Sequence, residues 1–255
     1  QKQFAVGICS CRHEKSHMGL KRCQVPLETC TSMGGGADYL VRRKLARSID
    51  KSEMLDRLTE ARDMGLVINA DNVKKGVSFM CVCCGCCCNM LLGISQFGYP
   101  HILVTSNYLA KADDATCDGC LTCKKACPIN AISLERLAEP AGKKKARPVV
   151  DESMCLGCGV CALACTTRAM TLRHRPQRVL YPETTFEKVI LQSLEVGTLQ
   201  NVLFAEPDRL SHQFLRAFVG AFLRLSPVKK ALVGETLRSR FLGALKAGSA
   251  RADRP

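Results

Sequence analysis

The chain has 255 residues, enough for one large domain or two small ones around a real core. It has no Trp, 5% aromatics and a formal charge of +14, so its core must rely on aliphatic side chains and whatever its 18 cysteines bind. Paired carboxylates, a Ser/His/Asp set, a P-loop and a Rossmann glycine fingerprint are all missing, which excludes hydrolase, kinase and direct nicotinamide chemistry; basic motifs interleaved with aromatics are missing too, which argues against nucleic acid.

In chain order, residues 1–35 read as a cysteine-bearing loop that closes on Gly34-Gly35-Gly36, and a first helix is predicted from Ala37 to about Ala46. Asp50-Lys51-Ser52-Glu53 has the form of a capping box. The helix it opens carries Met54, Leu55, Leu58, Ala61 and Met64 on one stripe and stops at Gly65. Leu66-Val67-Ile68 and Val77-Ser78-Phe79-Met80 read as short strands, Met90 to Ile94 as a helical turn, and His101 to Thr105 as another strand.

An internal repeat follows. At an offset of 38 residues, four cysteines superpose, and so do Gly119 on Gly157, Ala131 on Ala169 and Leu134 on Leu172. Each copy reads as a loop, a short helix and a brief strand (Ala131 to Leu134; Ala169 to Leu172), with a solvated basic loop from Glu139 to Pro148 between them. Beyond residue 173 cysteines stop and the pattern turns helical and basic, with an apolar stripe of Leu210, Phe214, Leu215, Phe218, Val219, Phe222 and Leu223. That stripe reads as core or subunit contact rather than membrane anchor, because Arg216 and Arg224 lie beside it. The expected domains are 1–106, 107–175 and 176–255.

The repeated cysteines carry the chemistry. Cys117, Cys120, Cys123, Cys127 and Cys155, Cys158, Cys161, Cys165 are two copies of C-x-x-C-x-x-C-x-x-x-C, the thiolate spacing of two [4Fe–4S] cubanes. One tight loop can wrap three iron corners, but the fourth must come from the other copy. This predicts Cys117, Cys120, Cys123 and Cys165 at one cluster and Cys155, Cys158, Cys161 and Cys127 at the other. Pro128 follows Cys127 and bends the chain away, whereas Thr166 follows Cys165. Zinc also takes four thiolates, but usually from two separated C-x-x-C knuckles.

Ten cysteines remain: Cys9, Cys11, Cys23, Cys30, Cys81, Cys83, Cys84, Cys86, Cys87 and Cys88. Adjacent cysteines on an extended chain point apart, so the six at 81–88 cannot all serve one metal. Further Fe–S clusters are the leading expectation, with zinc or a dithiol/disulfide relay as alternatives. His13 and His17 beside Cys9 and Cys11 could join a metal but read better as solvated; His101, His174 and His212 show no partner pattern. So many C-x-x-C ladders want a reducing compartment, either cytoplasm or the cytoplasmic face of a membrane. No stretch reads as a signal peptide or a membrane span, although a sequence opening at Gln1 makes the lack of a leader weak grounds.

Residues 117–172 resemble the bacterial two-[4Fe–4S] ferredoxin family. The resemblance implies a ferredoxin-like βαββαβ fold with pseudo-twofold symmetry and one-electron transfer between clusters. Over residues 7–172 the chain also resembles a group of anaerobe-type 4Fe–4S dicluster proteins. Their Cys-x-Cys-Arg, Gly-Leu-Val and Cys-Cys-x-Cys-Cys-Cys elements correspond to Cys9, Cys11, Arg12, to Gly65, Leu66, Val67, and to Cys83 through Cys88. Where that group has His after Gly-Leu-Val, this chain has Ile68, so no role for that His carries over. Cys83-Cys84-Gly85 is similar to a motif of heterodisulfide reductase subunits that hold a non-cubane cluster.

The expected fold is therefore α+β, a ferredoxin-like dicluster domain with a cysteine-rich α/β N-terminal module and a helical C-terminal tail that docks. The expected function is electron transfer through two [4Fe–4S] clusters to or from a partner oxidoreductase, as a component rather than a stand-alone enzyme. The alternative is a thiol- or disulfide-type reductase whose N-terminal module is the active site. Two oxidised clusters would lower the charge to roughly +10, still suited to an acidic redox partner or peripheral contact with an anionic membrane face.

Overall fold

The computed structural model describes residues 3–99, 103–141, 144–177, 179, 181–204, 210–228 and 241–243. The chain divides into two compact units, Gln1–Asn72 with Gly76–Tyr181, and Val73–Lys75 with Pro182–Pro255. It is a mixed α/β protein whose sheets are antiparallel.

The first unit begins with a five-stranded sheet in the order β3-β1-β2-β5-β4. Its strands are β1 (Phe4–Ile8), β2 (Glu28–Met33), β3 (Ala46–Ile49), β4 (Val67–Ala70) and β5 (Phe79–Cys83). The helices among them are α1 (Ser10–His17), α2 (Gly35–Arg42), α3 (Lys51–Asp63) and α4 (Asn89–Phe97). Residues 1–35 are thus not a loop: they supply two neighbouring strands and a helix. Composition hid β2, because Glu28-Thr29-Cys30-Thr31-Ser32 has no apolar alternation. Both of its threonine hydroxyls find partners instead, Thr31 Oγ1 donating to the Met80 carbonyl at 2.6 Å and Thr29 Oγ1 accepting from the Arg12 guanidinium, while the buried Ser32 hydroxyl has none among the described residues.

The capping box behaves as its spacing requires at one end. Asp50 Oδ1 accepts from the Glu53 N–H at 2.8 Å, while the Glu53 carboxylate turns outward to Arg47 and Arg57. Along α3, Met54 and Ala61 are buried, but Leu55 and Met64 are exposed. Val6, Met33, Ile49 and Met54 form one apolar cluster, and Val25, Ala61, Leu66 and Val82 another. Leu103 to Thr105 take no strand, and His101 lies outside the described residues.

The repeat runs β6 (Tyr108–Ala112), α5 (Thr122–Ala126), β7 (Ile132–Ala141), β8 (Lys144–Val150), α6 (Val160–Leu163) and β9 (Met170–His174). The outer strands pair with each other, β6 with β9, and the inner strands pair as the β7–β8 hairpin. The expected basic loop at 139–148 is therefore largely strand. An isolated ribbon has free edges that tolerate its prolines, and Pro148 pairs opposite Leu134. The 38-residue offset extends to the backbone: left-handed residues recur at Gly119 and Gly157, Leu121 and Gly159, Asn130 and Arg168. The halves also exchange hydrogen bonds, the Asp113 N–H donating to the Ala169 carbonyl and the Asp151 N–H to the Ala131 carbonyl, each at 2.9 Å.

The second unit is helical in its described elements: α7 (Thr185–Val196), α8 (Leu199–Leu203) and α9 (Leu210–Leu223). Ile190, Leu194, Leu199, Leu223 and Leu242 form its core. The α9 stripe is split. Leu223 is buried with Val219 packed nearby, whereas Phe214, Phe218 and Phe222 are exposed, the first two with stacked rings 6.4 Å apart. No helix among the described residues is long and apolar enough to cross a membrane.

Candidate metal centres

The repeat lines two small hollows, each partly open to solvent. Cys117, Cys120, Cys123 and Cys165 line the first; Cys127, Cys155, Cys158 and Cys161 line the second. Each hollow thus receives three sulfurs from one copy and one from the other. The exposure pattern repeats as well: the second cysteine of each copy, Cys120 and Cys158, is exposed, and the third, Cys123 and Cys161, is buried.

The loops owe their shape to backbone few residues tolerate. Gly157 has φ +66°, and a Cβ there would lie 2.0 Å from the Tyr108 carbonyl oxygen; only glycine fits that approach. The fourth sulfur of each set receives a backbone donor, Ala131 N–H to Cys127 Sγ at 3.3 Å and Met170 N–H to Cys165 Sγ at 3.4 Å. Ile129, Ile132 and Leu156 wall the second hollow. In this apolar setting burial, and then the sulfurs of Cys158, Cys127, Cys155 and Cys123, push the Cys161 thiol up to about 12. Four thiolates cannot coexist there without bound positive charge.

The donor set is all sulfur. Among the described residues, no three of these eight cysteines have ligand atoms that all lie within 4.8 Å of one another. That spread suits a multi-iron cluster better than one ion, so the residues fit [4Fe–4S] groups.

The other ten cysteines fall into two groups, sorted by the pleat of β5. Cys81 and Cys83 point to one face, Val82 and Cys84 to the other. On the first face, Cys30 is paired with Cys81 across β2 and β5. The neighbouring sulfurs of Cys30 and Cys83 hold the Cys81 thiol low, and their own thiols are driven up in turn. Cys88 is held low by Cys83. Burial raises Cys11 against the Asn89 N–H, and the sulfurs of Cys88, Cys9 and Cys81 add to the rise. Six sulfurs, from Cys9, Cys11, Cys30, Cys81, Cys83 and Cys88, therefore act on one another.

On the second face, Cys23, Cys84, Cys86 and Cys87 place all four sulfurs within 4.8 Å of one another. Cys23 Sγ lies 3.6 Å from Cys84 Sγ and 3.9 Å from Cys87 Sγ, and Cys86 Sγ lies 3.6 Å from Cys87 Sγ. Burial opposes ionisation of Cys23, yet the Val25 N–H and its three sulfur neighbours bring its thiol down to about 7.

Arg12, which is only 1% exposed, abuts this second group. Its guanidinium donates to the Pro26 carbonyl at 3.2 Å, the Thr29 hydroxyl, the Val82 carbonyl at 3.0 Å and Cys84 Sγ at 3.7 Å. Sequence reasoning placed Arg12 in a motif but missed its burial; an arginine one residue after a cysteine pair was the only signal. Among the described residues, His13, His17 and His174 stay outside both groups. His13 and His17 are exposed on α1 with their Nε2 atoms 3.0 Å apart, and His174 packs on Tyr108.

Residues 116–169 match the model of a family described as 4Fe-4S dicluster domain. No curated protein matches the chain. By this similarity the repeat is an iron–sulfur, metal-binding segment of ferredoxin type. Such a segment points to electron transfer, and electron transfer requires a redox partner.

Proposed function

We propose that this chain is an iron–sulfur electron-transfer protein or subunit with two [4Fe–4S] clusters, exchanging single electrons with a partner oxidoreductase. In this reading Cys117, Cys120, Cys123 and Cys165 hold one cluster and Cys155, Cys158, Cys161 and Cys127 the other, on a ferredoxin-like βαββαβ frame. The observation that carries it is the pair of hollows, each lined by four cysteines drawn from both copies within the matched segment.

A bound [4Fe–4S] group takes up and gives up one electron at a time. The protein's part is to hold and tune. The Ala131 and Met170 N–H groups put partial positive charge on Cys127 and Cys165, favouring the more negative, reduced state. Ile129, Ile132 and Leu156 keep water from the second hollow. Cys120 and Cys158 are exposed residues, so the ligand loop of each hollow reaches the surface, where a partner can approach. The positive charge of the chain suits an acidic partner in a reducing compartment. Residues 1–106, 107–175 and 176–255 then act as cysteine-rich module, carrier and docking tail.

Anaerobic reconstitution followed by iron and sulfide counting and EPR tests this proposal. About eight irons and eight sulfides assignable to the repeat are expected, with signals of two interacting clusters; a repeat holding fewer irons sinks it.

One observation favours a second reading, a thiol or disulfide redox site in the N-terminal module. It is the gathering of Cys30, Cys81, Cys83 and Cys88 beside one another, where neighbouring sulfurs drive the thiols of Cys30 and Cys83 up and hold those of Cys81 and Cys88 low. Replacing Cys83 and Cys88 by Ser should then abolish partner-coupled turnover while the repeat keeps its iron; intact turnover removes this reading.

A further inference from the structure

We infer that Cys23, Cys84, Cys86 and Cys87 form a closed tetrathiolate site for a single zinc ion, with buried Arg12 as its outer-sphere cation. This departs from the sequence expectation of a further Fe–S cluster.

Distance decides between the two. Zinc–sulfur bonds of about 2.3 Å in a regular tetrahedron put the sulfurs about 3.8 Å apart. Three of the six separations here are 3.6, 3.9 and 3.6 Å, and the other three lie within 4.8 Å. A four-iron cluster attaches each thiolate to a different iron and spreads them wider, as the repeat does. With four thiolates and no oxygen or nitrogen donor, the site is soft and complete, leaving no position for water or substrate.

The chain is shaped to present these sulfurs. After β5 ends, residues 84–88 close a tight turn, with the Cys88 N–H donating to the Cys84 carbonyl at 3.1 Å. Gly85 permits it, since a Cβ there would lie 2.5 Å from the Pro128 carbonyl oxygen. Cys23 arrives from the α1–β2 connection, 61 positions from Cys84. An ion here would staple that connection to the turn, and the turn is pressed against the residue following Cys127.

Charge supplies the independent argument. None of the partners that Arg12 donates to is a carboxylate: they are two carbonyls, a hydroxyl and a sulfur. A guanidinium this buried needs a counter-charge. Four thiolates around a dication carry −2, and Arg12 beside Cys84 reduces this to −1. The four thiol protons leave to solvent on binding, so no redox step is involved.

The test uses the full chain, purified anaerobically from zinc-containing medium. About one zinc per chain should survive desalting, and zinc-edge X-ray absorption should show four sulfurs at about 2.3 Å. Cys23→Ser and Cys86→Ser should each lose that zinc while keeping the wild-type iron content. Should these variants fail to fold, the absorption spectrum of the wild type still decides. Fewer than four sulfur neighbours, no zinc, or a lone iron giving a high-spin ferric EPR signal in its place overturns the inference. So does a Cys23→Ser variant that folds and loses iron instead of zinc. Arg12→Gln should speed zinc removal by EDTA about ten- to a hundredfold, with Arg12→Lys nearer wild type; an unchanged rate in Arg12→Gln removes the role given to Arg12.

Discussion

The repeat and the N-terminal module both gather cysteine sulfurs, but at different spacings. In the repeat, four sulfurs surround each hollow without crowding to within 4.8 Å, and exposed and buried members recur in step. In the module, four sulfurs crowd to single-ion distance beside a buried arginine, and six more act on one another on the opposite face of β5. Cysteine count alone does not separate these cases. What separates them is how the backbone delivers the sulfur: a two-residue gap in a loop opens a hollow, whereas adjacent cysteines in a turn can close on one ion only when a distant strand connection supplies the fourth.

Ligand loss in the repeat should have the largest effect and tests the exchange between copies. Cys165→Ser should remove about four irons and the same EPR component that Cys117→Ser removes, whereas Cys127→Ser should match Cys158→Ser. If Cys165→Ser instead mirrors Cys158→Ser, each copy keeps its own fourth ligand and the exchange is wrong.

Glycines at the two kinds of site should rank next. Gly157→Ala meets both a positive φ and the Tyr108 carbonyl at 2.0 Å, so it should cost about 3–5 kcal/mol and loosen iron in the second hollow. Gly85→Ala meets the Pro128 carbonyl at 2.5 Å and should cost about 1–3 kcal/mol. Anaerobic chemical denaturation measures both. Equal midpoints for the two variants would mean that Tyr108 yields as readily as Pro128, and the repeat would then be less rigid than its contacts imply.

The ease of reading each region from sequence follows from the same contrast. Metal ligation fixes the cysteine spacing of the repeat, so the 38-residue offset was visible before any coordinates. The offset also governs features no cysteine count reveals, such as left-handed Asn130 and Arg168. Strand alternation predicted that Cys83 and Cys84 diverge. It could not say that Cys23 joins Cys84 and that Cys30 joins Cys81, because both pairings depend on β2 lying beside β5. β2 itself is not legible because it lacks apolar alternation, and its two threonine hydroxyls find partners only after the sheet forms. The β7–β8 hairpin was missed because Pro and Lys were weighed as loop formers, although the edge of a ribbon accepts both.

The smallest effect serves as the control for all the others. Asp50 caps α3 through the Glu53 N–H at 2.8 Å, and α3 carries no cysteine. Asp50→Ala leaves one helix-terminal donor without its partner and should cost about 1 kcal/mol. Nothing in that loss touches a sulfur, so iron and zinc contents should both match wild type while the anaerobic unfolding midpoint falls. A variant that lost either metal would mean that occupancy follows global stability. The iron and zinc losses expected of the cysteine and glycine variants would then no longer report local geometry, and the distinction between open and crowded sulfur sites would have to rest on X-ray absorption of the wild-type chain.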